Sequence, residues 1–154
     1  MTLTTTHDLP RFGLKGKLAA EWLATQGVQL PQQPNHWCAQ EDGSRILRLG
    51  RGEYLVEGDA ARRLASVWQD GQVGLYRVPR YDAGFVLNGP DAAVRLSEIC
   101  ALDLRPAAVG EQVLMTLAAG ISVTLVYEAE GCYRLWCDAT YGAYMQATLQ
   151  QILA

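Results

Sequence analysis

Residues 112–138 read QVLMTLAAGISVTLVYEAEGCYRLWCD, and this stretch decides the fold class. β-Branched and aromatic residues, which favour strands, stand on both sides of Ala119-Gly120 and again on both sides of Glu130-Gly131. Glycine turns between such segments are typical of consecutive hairpins. We therefore predict three neighbouring strands, over residues 113–118, 121–129 and 132–138.

The uncharged part of this stretch, residues 112–127, is too short for a membrane helix, which needs about 20 apolar residues. Its central Ala-Ala-Gly also favours a tight turn over a continuous helix. We predict a core hairpin here and no membrane association.

Helical and strand patterns alternate on both sides of the hairpins. Leu14, Leu18 and Trp22 recur every four residues and predict a first helix that ends at Gly27. Three further helices are predicted: one capped by Asp59, one opened by residues 88–91, and one over residues 141–153. The other predicted strands cover residues 37–40, 45–49, 53–57, 73–78 and 83–87.

These elements predict an α+β fold, a single domain of antiparallel strand pairs with about four packed helices. We assign residues 13–154 to the domain and residues 1–12 to a flexible N-terminal leader. The length of 154 residues and the 49% hydrophobic content suit one domain with a real core.

Charge and the N-terminal sequence restrict the partners and the location. The formal net charge of -3 gives no positive field for phosphate backbones, so we predict no nucleic-acid binding. MTLTTTHDLP has no basic segment followed by an apolar one, and we therefore expect a cytoplasmic protein.

The usual catalytic and metal-binding patterns do not occur in the sequence. The four cysteines, Cys38, Cys100, Cys132 and Cys137, form no C-x-x-C pair and have no histidine at ligand spacing, so we predict no metal site. The only histidines are His7 and His36, and no G-x-S-x-G motif accompanies the serines. We predict no catalytic residue.

Asp103, in the segment CALDLRP, is the candidate binding residue. An acid placed just after a helix and just before a proline could be held in a cleft by the local backbone. Alternatively, it could be a turn residue whose carboxylate accepts hydrogen bonds from nearby backbone N–H groups. The residue pattern alone leaves both roles open.

Three segments, in order along the chain, carry a family resemblance: LGRGEYLV at 49–56, LNGPDAA at 87–93 continuing to ICALDLRP at 99–106, and TYGAYM at 140–145. They resemble the gamma subunit of heterotetrameric sarcosine oxidase. That subunit is similar in turn to the folate-binding domain of glycine-cleavage aminomethyltransferase. The resemblance implies an aminomethyltransferase folate-binding-domain-like fold.

The resemblance also implies a function. The chain would be a noncatalytic subunit that acts in assembly of a complex oxidatively demethylating sarcosine, with one-carbon transfer to tetrahydrofolate. Its partners would be the larger flavin- and folate-binding subunits, which would hold FAD, FMN and tetrahydrofolate, and the chain would carry no cofactor of its own. The alternative is a free-standing folate- or pterin-binding module. In either case, similarity to the transferase assigns a folate contact to Asp103 alone.

Overall fold

The computed structural model describes residues 1–154, with ten strands, five α-helices and one 3₁₀ turn. In chain order these are β1 (Thr2–Thr5), β2 (Arg11–Lys15), α1 (Ala19–Thr25), β3 (His36–Ala39), β4 (Arg45–Gly50), β5 (Glu53–Glu57), α2 (Asp59–Val67), β6 (Tyr76–Val78), β7 (Asp82–Asn88), α3 (Ala92–Leu96), α4 (Pro106–Val109), β8 (Leu114–Ala118), β9 (Ile121–Ala129), β10 (Cys132–Asp138), the 3₁₀ turn (Ala139–Tyr141) and α5 (Gly142–Leu153).

The chain forms two compact units. The terminal unit combines Met1–His7 with Tyr81–Ala154, and the internal unit is Asp8–Arg80. The boundaries between the two units fall after His7 and after Arg80.

The terminal unit is built on a five-stranded antiparallel sheet with the order β1-β7-β10-β9-β8. Alternate residues of its central strands, such as Phe85, Leu125 and Leu135, enter one hydrophobic core with 0% exposure. Helix α5 contributes Met145 and Leu149 to the same core. The sheet face that carries these residues is therefore the one that the helices of this unit cover.

The predicted hairpins are confirmed. Strands β8 and β9 are joined by Ala119 and Gly120, with φ of 50° and 78°, which suits a two-residue type I′ turn. Glu130-Gly131 joins β9 to β10. A Cβ at position 131 would lie 2.6 Å from the carbonyl oxygen of Gly89, so the close approach of these two backbone segments requires glycine there.

The internal unit holds a second five-stranded antiparallel sheet, with the order β3-β4-β5-β2-β6. Helices α1 and α2 contribute Leu23 and Leu64 to a core that also contains Phe12 of β2. The Phe12 ring contacts the rings of Trp22 and Trp68, each at a centroid distance of 5.9 Å. These aromatic contacts join the two helices to the central strand β2.

Helix α2 is capped differently from the prediction. Its N-cap position is occupied by Gly58 and not by Asp59, which lies in the first turn and pairs with Arg62 at 3.1 Å. The buried Ser44 hydroxyl accepts a hydrogen bond from the Ala60 N–H at 2.9 Å. A backbone N–H of the first turn thus donates to a side chain that lies just before β4, a contact that local spacing does not indicate.

Two N-terminal strands correct the sequence analysis. β1 pairs with β7 inside the predicted leader, and Leu14, predicted to begin a helix, lies in β2 between β5 and β6. The four-residue spacing to Leu18 and Trp22 is coincidental, because pairing on both sides fixes β2 as extended chain. Helix α1 begins only at Ala19.

The C-terminal helix differs from its prediction at its start. The helical spacing of Tyr141 and Tyr144 with Met145 predicts core positions for both tyrosines. They are instead 47% and 52% exposed, and the buried residue between them is Gly142. Helix α4 was not predicted, because a single turn after Pro106 has too few residues for a periodic pattern. The α+β class with antiparallel strand pairs is confirmed, and none of the helices is long and apolar enough to span a bilayer.

Candidate functional site

Asp103 lies in the loop that joins α3 to α4 in the terminal unit. Cys100 and Leu104, on either side of it, are buried in the core and anchor the loop. The hydroxyl of Tyr133, on the central strand β10, donates a hydrogen bond to the Leu104 carbonyl oxygen at 2.5 Å. Core packing and this hydrogen bond therefore fix the backbone on the C-terminal side of Asp103.

Both oxygens of the Asp103 carboxylate accept hydrogen bonds from Arg105. Its Oδ1 accepts hydrogen bonds from the Arg105 backbone N–H at 3.1 Å and from the Arg105 Nε at 2.9 Å. Its Oδ2 accepts from Nη2 at 2.5 Å and from Nε at 3.1 Å. This is the turn geometry that the sequence analysis kept as an alternative, with a guanidinium fork added to the backbone N–H.

These contacts change the titration of both groups. The side-chain hydrogen bond from Arg105, followed by the one from its backbone, lowers the pKa of Asp103 to about 2. The same carboxylate raises the pKa of Arg105. Both groups are charged throughout the physiological range, so Asp103 is a fixed anion and cannot act as a proton donor there.

A tyrosine pair lies next to this loop. The rings of Tyr127 and Tyr133 are 5.3 Å apart, and Tyr133 is 1% exposed. Burial raises the pKa of Tyr133, and Tyr127 and Asp103 add smaller contributions in the same direction.

Because Arg105 donates hydrogen bonds to both oxygens of Asp103, any ligand that uses Asp103 must displace Arg105 or bind both side chains together.

Two largely buried ion pairs are not predicted from the sequence. In the terminal unit, the Nε of Arg134 donates to Glu128 Oε1 at 2.7 Å, and both side chains are nearly buried. In the internal unit, the Nε of Arg11 donates to Glu57 Oε2 at 2.8 Å, with Glu57 fully buried. For the Arg134 pair, the sequence does hold a signal: an arginine stands among apolar residues in the strand segment YRLWC, and buried charges are normally paired.

Arg48 fastens a loop in the internal unit. Its guanidinium donates to the carbonyl oxygens of Gln32 and Arg51, each at 2.9 Å, and stacks over the Tyr54 ring at 5.7 Å. The Arg48 Nε and the Tyr54 hydroxyl are buried without hydrogen-bond partners. Tyr54 belongs to the LGRGEYLV segment, so that stretch of the resemblance forms part of this packed group.

The internal unit also has an open polar depression of about 320 Å³, lined by Gly27, Gln29, Gln40, Glu41, Asp42 and Arg63. Gln40 closes one side through two hydrogen bonds to the backbone of Gln29, at 2.8 and 2.9 Å. The pKa of Asp42 is lowered, chiefly by the hydrogen bond from the Ser44 backbone N–H. Asp103 belongs to the other unit and does not line this depression.

The four cysteines are free thiols, and no three His, Cys, Asp or Glu side chains converge on one point. Cys100 and Cys137 are buried, whereas Cys38 and Cys132 are partly exposed. Burial raises the pKa of Cys137 to about 11, so this thiol stays protonated at neutral pH.

No family model and no curated protein matches this chain. Similarity is found instead among solved structures. A chain of the heterotetrameric sarcosine oxidase from Corynebacterium sp. U-96, in complex with pyrrole 2-carboxylate, superposes with a TM-score of 0.80. The match has 24% identity and covers 98% of this chain and 82% of that one.

Glycine cleavage system aminomethyltransferase T from Bartonella henselae superposes with a TM-score of 0.66 and 12% identity. That match covers 96% of this chain but only 44% of the transferase, so the chain spans less than half of that protein. The chain therefore has the fold of a sarcosine oxidase chain, a fold that also forms part of aminomethyltransferase T.

Proposed function

We propose that the chain is a noncatalytic subunit of a sarcosine oxidase-like complex and acts in its assembly. The observation that carries the proposal is the extent of the structural match. The chain corresponds to 82% of one chain of a heterotetrameric oxidase, but to only 44% of the transferase. The match to the oxidase chain is therefore the more extensive of the two, and it favours a subunit role.

The candidate site supports the same proposal. The carboxylate of Asp103 is satisfied by Arg105, and its loop is held by Tyr133. This arrangement stabilises a surface loop and supplies neither a base nor a nucleophile. FAD, FMN and tetrahydrofolate would accordingly belong to larger flavin- and folate-binding subunits, which would demethylate sarcosine and transfer the one-carbon unit.

The test is capture of the tagged chain from its native cells, followed by native mass spectrometry and visible absorbance. We expect an assembly far heavier than the 16.9 kDa chain, with the yellow absorbance of flavin. Reciprocal capture through a tag on the flavin-bearing protein is the matched control and should recover this chain. A chain recovered alone from cells that also contain the large subunits contradicts the proposal.

Folate or pterin binding by the free-standing chain is the second proposal, favoured by the transferase-like fold and by the exposure of the Asp103 loop. Calorimetry with tetrahydrofolate should then give heat that disappears in Asp103→Asn. No heat with the wild-type chain contradicts this function. We place the protein in the cytoplasm, where its four free thiols would remain reduced.

A further inference from the structure

Strand β8 is an unprotected edge of the terminal sheet. It pairs with β9 on one side only. Its sequence, LMTLA, contains no charged residue and no proline, the features that normally prevent edge-to-edge pairing. The other edges are more polar: β6 carries Arg77, β3 carries His36, and β1 is mainly threonine.

The hairpin geometry shows which backbone groups of β8 point outward. The turn closes at the pair Ala118 and Ile121, and a two-residue turn makes this a hydrogen-bonded pair. Hydrogen-bonded and non-hydrogen-bonded pairs alternate along antiparallel strands. Leu117 and Met115 therefore belong to non-hydrogen-bonded pairs, and their N–H and C=O groups point away from β9.

The same two residues expose their side chains. Met115 is 53% exposed and Leu117 is 57% exposed, and their spacing places both on one face of the sheet. No hydrogen bond from elsewhere in the chain reaches their outward backbone groups. On each side of Thr116 there is thus one exposed apolar side chain, together with one N–H and one C=O that point away from β9.

We propose that β8 is the docking edge for a second copy of this chain, paired antiparallel about a two-fold axis at Thr116. In this register Met115 exchanges two backbone hydrogen bonds with Leu117 of the other copy, and Leu117 does the same with Met115. The two threonines face each other, a favourable cross-strand pair.

Self-complementarity favours a second copy as the occupant. Each apolar side chain meets an apolar one, and no like charges are placed opposite each other in the joined strands. Self-pairing of β6 would instead bring two copies of Arg77 together. The resulting sheet would run continuously through both copies and would leave no free edge at β8.

The first test is sedimentation of the full chain over a concentration series up to about 1 mM, because a small interface supports only weak association. We expect the mass to rise from 16.9 kDa toward twice that value. Leu117→Lys and Leu117→Pro should weaken association at least tenfold. The proline removes an N–H that points outward, so the β8–β9 hydrogen bonds should survive, which circular dichroism checks.

Val94→Lys is the matched control, because Val94 is 65% exposed on α3 and lies outside the proposed interface. It should associate like the wild-type chain. A wild-type chain that stays monomeric throughout the series overturns the proposal. So does a Leu117→Lys chain that dimerises as strongly as the wild type.

A cysteine at the axis tests the register. Facing residues of a non-hydrogen-bonded pair lie about 4.5 Å apart at Cα, within the range of a disulfide. Under mild oxidation, Thr116→Cys should therefore give a cross-linked dimer. Thr4→Cys on the opposite edge strand β1 should give no more than the wild-type background from its own cysteines. Equal cross-linking of both variants overturns the register.

Discussion

Replacing Arg105 by alanine should raise the pKa of Asp103 from about 2 toward the ordinary value of 3.8. The guanidinium supplies the largest cause of the lowered pKa through three hydrogen-bond contacts of 2.5 to 3.1 Å. The Arg105 backbone N–H, at 3.1 Å from Oδ1, remains in the variant. The pKa should therefore stop short of 3.8.

The hydrogen bonds from Arg105 favour the ionised form of Asp103, so protonation of the carboxylate breaks the ion pair. The ion pair is complete above pH 3.8 and is lost as the pH falls through about 2. Without the guanidinium, the Asp103 carboxylate should take up its proton at a higher pH. The pair is exposed to solvent, so the effect is expected in the titration curve and not in the stability of the fold.

Carbon-detected NMR of the side-chain carboxyl groups measures this pKa, with Asp103→Asn to assign the resonance. Arg105→Lys should give an intermediate value, because lysine keeps the charge but cannot form the planar fork. Arg95→Ala, which removes the exposed Arg95–Glu98 pair, is the control and should leave Asp103 unchanged. A pKa that stays near 2 in Arg105→Ala, or that is already near 3.8 in the wild type, refutes the reasoning.

Three further measurements test individual contacts and burial within the two units. Ser44→Ala should lower the free energy of unfolding by about 1–2 kcal/mol, because it leaves the Ala60 N–H without its acceptor. Denaturation followed by tryptophan fluorescence checks this, and the exposed Ser66→Ala should cost much less. Tyr133→Phe should cost about 1–2 kcal/mol by removing the hydrogen bond to Leu104 and should speed hydrogen exchange in residues 101–105, whereas Tyr127→Phe should leave that exchange unchanged. At pH 8, a thiol reagent should spare Cys137, whose pKa is about 11, until denaturant is added; rapid labelling of Cys137 in the native chain would show that it is not buried.

The sequence predicts elements whose determinants are local. The hairpins in residues 112–138 depend on two turns and on the strand residues beside them, and they are confirmed. The odd spacing of Cys132 and Cys137 predicts opposite faces of one strand, and only Cys137 enters the hydrophobic core. A period of two and a glycine turn need no information from distant parts of the chain.

The missed features depend on distant partners. Strand β2 is extended because β5 and β6 pair with it, which overrides the helical spacing of Leu14, Leu18 and Trp22. The cap of α2 comes from Ser44, sixteen positions before Ala60. Glu57 is buried because Arg11 reaches it from a strand 46 positions away. No local pattern specifies such contacts.

The Asp103 loop depends on both a local contact and a distant one. Its turn role was available from local sequence, since its carboxylate accepts the N–H of a residue two positions later. The tyrosine that holds the loop comes from β10, 29 positions after Leu104. The sequence could therefore suggest the turn, but it could not show that the loop is fixed to the sheet.

This arrangement also separates the two proposed functions. If the chain binds folate through Asp103, Arg105 competes with the ligand for the carboxylate, and Arg105→Ala should strengthen the binding measured by calorimetry. If the chain acts only in assembly, Arg105→Ala should bind no folate and should still be captured with the large subunits. Stronger folate binding by Arg105→Ala than by the wild type would thus favour the binding module, because freeing an exposed carboxylate has no such consequence for a subunit that only docks.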